Sequence, residues 1–129
     1  MSEEIQSIHD DDELYRRLCL PDWVKDVEKG IISSAAFKNR KGTKDLSVDL
    51  GRLTQPDITA IDVQEYAVGM IIAGDARNLG QEVFNNPEND NMAHSTIRGT
   101  KTGSTSKKLV RKAQLILYPL LNRSYFSQS

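Results

Sequence analysis

The stretch "DDDELYRRLCLP", residues 10–21, decides how the rest of the chain is read. Its aspartates and Glu13 suit the positive end of a helix dipole, and Leu14, Tyr15, Leu18 and Cys19 recur at helical spacing. Pro21 disfavours helix at Leu20. The pattern predicts a short helix from about Asp11 to Cys19. Trp23 and Val24 follow in a turn or a second helical turn, with the tryptophan plugging the core. Before it, residues 1–10 are acidic, carry few apolar anchors and read as a flexible start.

Working outward, "LSVDL" (46–50) alternates with period two, which puts Leu46, Val48 and Leu50 on the inner face of a strand. Ile31, Ile32, Ala35, Ala36 and Phe37 suit a strand or a buried extended segment, and "NRKGTK" (39–44) reads as an exposed turn. Thr54, Pro56 and Asp57 start a helix or a turn. Glycines weaken a helical interior, so "AVGMII" (67–72) reads as a strand, followed by a short helix from Asp75 to Leu79 that Gly80 stops. "QEVFN" (81–85) is another strand and "NNPENDN" (85–91) a loop. In the next extended segment Met92, His94, Thr96 and Arg98 share one face, opposite Ala93, Ser95 and Ile97. Ser104, Thr105 or Ser106 caps a helix carrying Leu109, Val110, Ala113, Leu115, Ile116 and Leu117, which Pro119 ends or bends. The expectation is an α+β domain over residues 11–122: a small mixed or antiparallel sheet with an N-terminal short helix and a C-terminal amphipathic helix, then a loose tail at 123–129.

A chain of 129 residues with 38% hydrophobic and 27% charged content suits one globular domain. Its longest apolar runs fall far short of the roughly 20 residues that cross a bilayer, and its start has no secretory signal pattern. The expected address is therefore cytoplasmic, with no membrane partner. The single cysteine, Cys19, excludes an internal disulfide and a cysteine zinc cluster. Two distant histidines and no calcium-loop spacing leave no metal set. No cofactor fingerprint is present: Gly69, Gly74 and Gly80 are too widely spaced for a dinucleotide loop, and "GTKTGSTS" lacks the lysine of a phosphate loop.

The segments "SSAAF", "LSVDLGRLT", "ARNLGQEV" and "NPENDNMAH", in that order, resemble a group of short uncharacterised bacterial proteins. These share a serine–alanine–phenylalanine segment, an SVD strand and a late proline-to-histidine loop. The resemblance spans roughly residues 14 to 99. It implies a bacterial source and carries no activity.

Net charge of −1 conceals a polarised chain. Residues 1–30 hold nine acidic and four basic residues, whereas residues 93–129 hold seven basic residues and no acidic one. Lys101, Ser104, Lys107, Lys108, Arg111 and Lys112 form a candidate anion-binding segment for a phosphate-bearing ligand, nucleic acid or an acidic protein surface. A lysine-rich stripe is equally suited to pairing with the acidic N-terminal segment, in the same chain or across a homodimer. The alternative is a small enzyme acting on phosphodiesters or nucleotides, nuclease-like or transferase-like. His94 would be its general acid/base and Arg98 would stabilise the developing oxyanion, together with Ser95 or Thr96 and the serines at 33 and 34, and Asp49 or Asp75 would complete the site.

Overall fold

The computed structural model describes residues 5–39 and 41–117. In chain order its elements are strands β1 (Glu13–Cys19), β2 (Val24–Asp26), β3 (Ile31–Ile32) and β4 (Asp45–Leu50), helix α1 (Pro56–Ala60), strand β5 (Tyr66–Ile72), helix α2 (Ala73–Asn78), strands β6 (Glu82–Asn85) and β7 (His94–Arg98), helix α3 (Gly103–Lys112) and strand β8 (Gln114–Leu117). Six strands form one fully antiparallel sheet in the order β6-β7-β4-β1-β5-β8, and β2 and β3 form a separate two-stranded ribbon.

The expected N-terminal helix is a strand near the middle of this sheet. Leu14 and Leu18 stand four residues apart, an interval that shares a face in both a helix and a strand, so spacing alone does not separate the two. Strand β5 settles it by pairing with all of β1, from Glu13↔Ile72 to Cys19↔Tyr66. Leu14 and Leu18 are then fully buried on the core face, with Arg16 between them. Its guanidinium does not enter the core uncompensated: Nε donates to Ala36 O at 3.0 Å and NH1 to Ser47 O at 2.8 Å. Tertiary pairing overrides the local helical signal.

Leu46, Val48 and Leu50 face the core as their alternation requires. Ile71 and Ile97 join them, and α2, α3 and a 3₁₀ turn at Ser34–Phe37 cover that face through Ala73, Ala76, Leu109 and Phe37. The segment 31–37, expected as a strand or a buried extended stretch, is strand only at β3 and continues as the 3₁₀ turn, whose capping Ser33 side chain accepts from Ala35 N. The C-terminal helix is also shorter than its sequence pattern. It ends at Lys112, and Leu115 to Leu117 belong to β8, which pairs with β5. Pro119 and the tail lie outside the described residues.

Residues 6–10, read from the sequence as a flexible start, run along the sheet end. Ile8 is buried, Gln6 N donates to Asn85 Oδ1 at 2.8 Å, and Gly74 N donates to Asp10 O at 2.7 Å. A Cβ on Gly74 would lie 2.9 Å from that same carbonyl, so glycine permits the close approach of two backbones. The aspartates do not start a helix. Asp12 binds Arg52 Nε at 3.1 Å and Asp10 binds Arg77 NH1 at 2.7 Å.

Three consequences are measurable by urea denaturation. Leu18→Ala should lower the unfolding free energy by about 2–5 kcal/mol by opening a cavity at the sheet centre. Gly74→Ala should lower it by about 1–3 kcal/mol by forcing residues 8–12 outward. Cys19→Ser, at an exposed side chain, should stay within about 0.5 kcal/mol of wild type.

Candidate functional site

Strands β1 and β4 pair only at Leu14↔Leu50 and Tyr15↔Asp49. Beyond Tyr15 they part, and the face turned away from the core opens into a groove of about 820 Å³ whose walls include Tyr15, Arg17, Trp23, Ser47, Asp49 and His94. Helix α1 and the following turn form its lip. Thr59 Oγ1 donates to Asp49 at 2.8 Å and Asn91 Nδ2 donates to the same carboxylate at 2.9 Å, tying the lip and the 86–92 loop to β4.

His94 stands opposite Asp49 in the β4–β7 ladder. Its Nδ1 lies 3.0 Å from the Asn86 carbonyl, which can only accept, so Nδ1 carries the proton. In the neutral ring Nε2 is then an acceptor, 3.4 Å from Ser47 Oγ; in the protonated ring it faces Glu88 Oε2, 3.8 Å away, as an ion pair. The imidazole is thus oriented by a backbone carbonyl rather than by Asp49.

Arg98 shares the strand face with His94, four residues along, which at about 3.3 Å per residue separates them by about 13 Å. Its guanidinium grips Asp45 in a two-point ion pair, Nε at 2.6 Å and NH2 at 3.0 Å, and lies over the Phe84 ring, 4.8 Å from its centroid. That hydrogen bond holds the Asp45 carboxyl below the usual carboxylate range and raises Arg98. Of the residues expected to act together, the fold brings His94 and Asp49 into adjacent positions and holds Arg98 apart. Ser33, Ser34 and Asp75 are not among the groove walls.

The expected anion-binding residues divide in two. Ser104, Lys107, Lys108, Arg111 and Lys112 are exposed on the solvent side of α3, whose opposite side buries Ser106 and Leu109. Thr102, not a later serine, caps the helix by accepting from Thr105 N, and Ser106 Oγ donates to Phe37 O at 3.1 Å. Among the described residues, none of the four α3 cations makes an ion pair. Lys101 is different. Its Nζ donates to Asn39 Oδ1 at 2.7 Å and to the carbonyls of Gly99, Lys44 and Ile97 at 3.0, 3.2 and 3.3 Å. Burial lowers its pKa to about 8.

Lys101 thereby clamps the start of α3 to the 38–44 loop, which Asn39 Nδ2 also joins by donating to Gly99 O at 2.9 Å. Residues 29–44 contain no Asp or Glu, and Lys38, Lys41 and Lys44 are exposed. Packing adds these three cations to the α3 end of the molecule. Sequence reading took the loop only as a turn; its lack of acidic residues was the available signal. Ser47, Tyr15 and Arg17 were missed as site residues because nothing local marks where two strands part.

Comparison of the chain with protein-family models, with curated proteins and with solved structures finds no match. Among the described residues no cluster of three His, Cys, Asp or Glu is arranged to hold a metal ion, and no helix is long and apolar enough to cross a membrane.

The Asp45–Arg98 pair has a signed pH dependence. Because the folded-state pKa of Asp45 is lowered, its stabilisation is complete above the unfolded value of about 3.9 and disappears as pH falls through the folded value. Wild type and Asp45→Asn should therefore differ in thermal stability at pH 6 and converge as the pH is taken below 3. Lys101→Met should cost about 1–3 kcal/mol in urea denaturation by leaving carbonyl and amide oxygens without their donor.

Proposed function

We propose that the protein is a binding module for the phosphate backbone of nucleic acid, held by the cationic end built from α3 and the 38–44 loop. The observation that carries this reading is the set of exposed cations at Lys107, Lys108, Arg111 and Lys112. They have no ion pair among the described residues, while Asp10 and Asp12 are engaged with Arg77 and Arg52. The acidic N-terminal segment thus has arginine partners other than the α3 stripe, which counts against a homodimer built on that contact.

A protein partner typically docks through buried aromatic or apolar anchors. The solvent side of α3 offers lysines, an arginine and serine instead, a composition suited to phosphate oxygens and counterion release. With no exposed aromatic between these cations among the described residues for a base to stack on, binding would be independent of base sequence. The phosphodiesterase reading has less support, since Arg98 is already paired with Asp45 and lies four strand residues from His94.

Fluorescence anisotropy with a labelled DNA duplex at low salt tests the module. Affinity should fall steeply with salt, and each Lys→Ala change on α3 should reduce the log–log slope by about 1. Reversal of all four α3 cations to glutamate should abolish binding, and unchanged binding by that variant would remove the proposal. Capture of a polyglutamate peptide without capture of DNA or RNA would point instead to an acidic protein surface.

A further inference from the structure

The geometry of the groove points to a second, separate activity: we propose that Ser47 and His94 form a nucleophile–base pair that hydrolyses carboxylic esters. This site lies on the sheet face away from α3 and does not depend on the nucleic-acid reading.

A serine nucleophile requires a neighbouring base whose proton position is set by a third group. His94 meets that requirement through its Nδ1 contact to the Asn86 carbonyl, which in the neutral ring leaves the Nε2 lone pair facing Ser47 Oγ, 3.4 Å away, with the Glu88 carboxylate 3.8 Å from Nε2 to hold the imidazolium that forms. The imidazole side chain is 15% exposed, enough to be reached from the groove and little enough to be held in place. Ser47 itself is exposed on the groove wall, and its backbone is fixed by the Arg16 NH1 bond to its carbonyl.

The parting of the strands supplies the rest. Continuing the register Leu14↔Leu50, Tyr15↔Asp49 sets Arg17 opposite Ser47, and both line the groove. The guanidinium of Arg17 rests over the Tyr66 ring, 5.2 Å from its centroid, and from that wall of the groove it is the cation that would reach the oxyanion developing on an ester bound beside Ser47. The lip provides an apolar rest for the acyl or alcohol chain: Ile58 is 62% and Ile61 75% exposed, and both border the groove. Ile61 has φ 67° and ψ −56° in a tight turn closed by Asp62 N donating to Ala60 O at 2.7 Å. A β-branched residue in that conformation is strained, and such strain gathers at ligand clamps. The Thr59–Asp49 bond anchors the helix that carries this turn.

The reaction balances with water as co-substrate. Ser47 Oγ forms a bond to the ester carbonyl carbon as its proton passes to His94 Nε2. The tetrahedral intermediate collapses, the carbon–oxygen bond to the leaving alcohol breaks, and His94 returns the proton to that alcohol. Water then attacks the acyl-serine, giving its proton to His94. The carboxylic acid departs and Ser47 recovers its proton.

The full chain is incubated with a fluorophosphonate probe and, separately, with p-nitrophenyl butyrate, with folding of every variant checked by circular dichroism. Peptide mass spectrometry should place one phosphonyl group on Ser47, and Ser47→Ala should neither label nor hydrolyse above the buffer rate. His94→Gln should slow both labelling and hydrolysis by about 10²–10⁴-fold. Arg17→Ala should slow hydrolysis by about 10²–10³-fold. Reversal of the α3 cations should leave both reactions unchanged, which separates this site from the proposed nucleic-acid surface. If His94→Gln fails to fold, Ser47→Cys in a Cys19→Ser background, which removes the exposed native thiol, keeps the test: an iodoacetamide-reactive thiol that a second His94 substitution, to Asn, slows would support the pair. Absence of a Ser47 adduct on folded wild-type protein, or hydrolysis by Ser47→Ala at the wild-type rate, overturns the proposal.

Discussion

Strand β1 is paired along its whole length with β5 and along only two positions with β4, and the rest of the molecule accommodates that imbalance. The long pairing places Leu14 and Leu18 at the base of the core, where burial of each contributes roughly 1.5–3 kcal/mol. On the short side, backbone groups of two central strands lose their ladder partners. Arg16 meets part of that need by donating to Ser47 O and Ala36 O, so one side chain joins β4 to the turn that supports α3. The groove on the other face is the same parting seen from outside.

Charge is distributed by packing as much as by sequence. The two segments without acidic residues, 29–44 and 93–117, are far apart in the chain, yet Lys101, Asn39 and Ser106 bind one to the other. The acidic start is held at the opposite end of β1, where Arg52 and Arg77 take Asp12 and Asp10 and where Arg52 also reaches the Ser7 carbonyl. Packing thus brings the exposed lysines of 38–44 toward those of α3, with the Asp45–Arg98 pair beside them, within a chain whose net charge is −1. Lys101, although part of the basic segment, is a fastening rather than a contact for a ligand, because oxygens of the chain already surround its ammonium.

Strands with an unbroken local pattern were legible. "LSVDL", "AVGMII" and "QEVFN" appear as β4, β5 and β6 because alternation or a short apolar run between glycines leaves few other ways to bury those side chains. The helix at 73–78 was legible from its glycine stop. β1 was not, because Leu14 and Leu18 satisfy both periods and the acidic residues before them imitate a helix start while serving as ion-pair partners. The end of α3 was misplaced for a related reason: Leu115, Ile116 and Leu117 continue a helical stripe in sequence, but the open edge of β5 offers them a ladder. His94 and the α3 cations were identifiable as residue types, and the placement of His94, Thr96 and Arg98 on one face followed from period two.

By itself the sequence determined an α+β domain, a basic C-terminal segment and a histidine on a polar strand face, because composition and short-range periodicity act within a few residues. Which groups meet was decided only in three dimensions. Arg98 is drawn to Asp45, His94 to the Asn86 carbonyl and Ser47, and the 38–44 loop to α3, through contacts between residues 8 to 62 positions apart. No local pattern specifies such pairings, since each depends on strand order and register, and these follow from burying the whole apolar set at once.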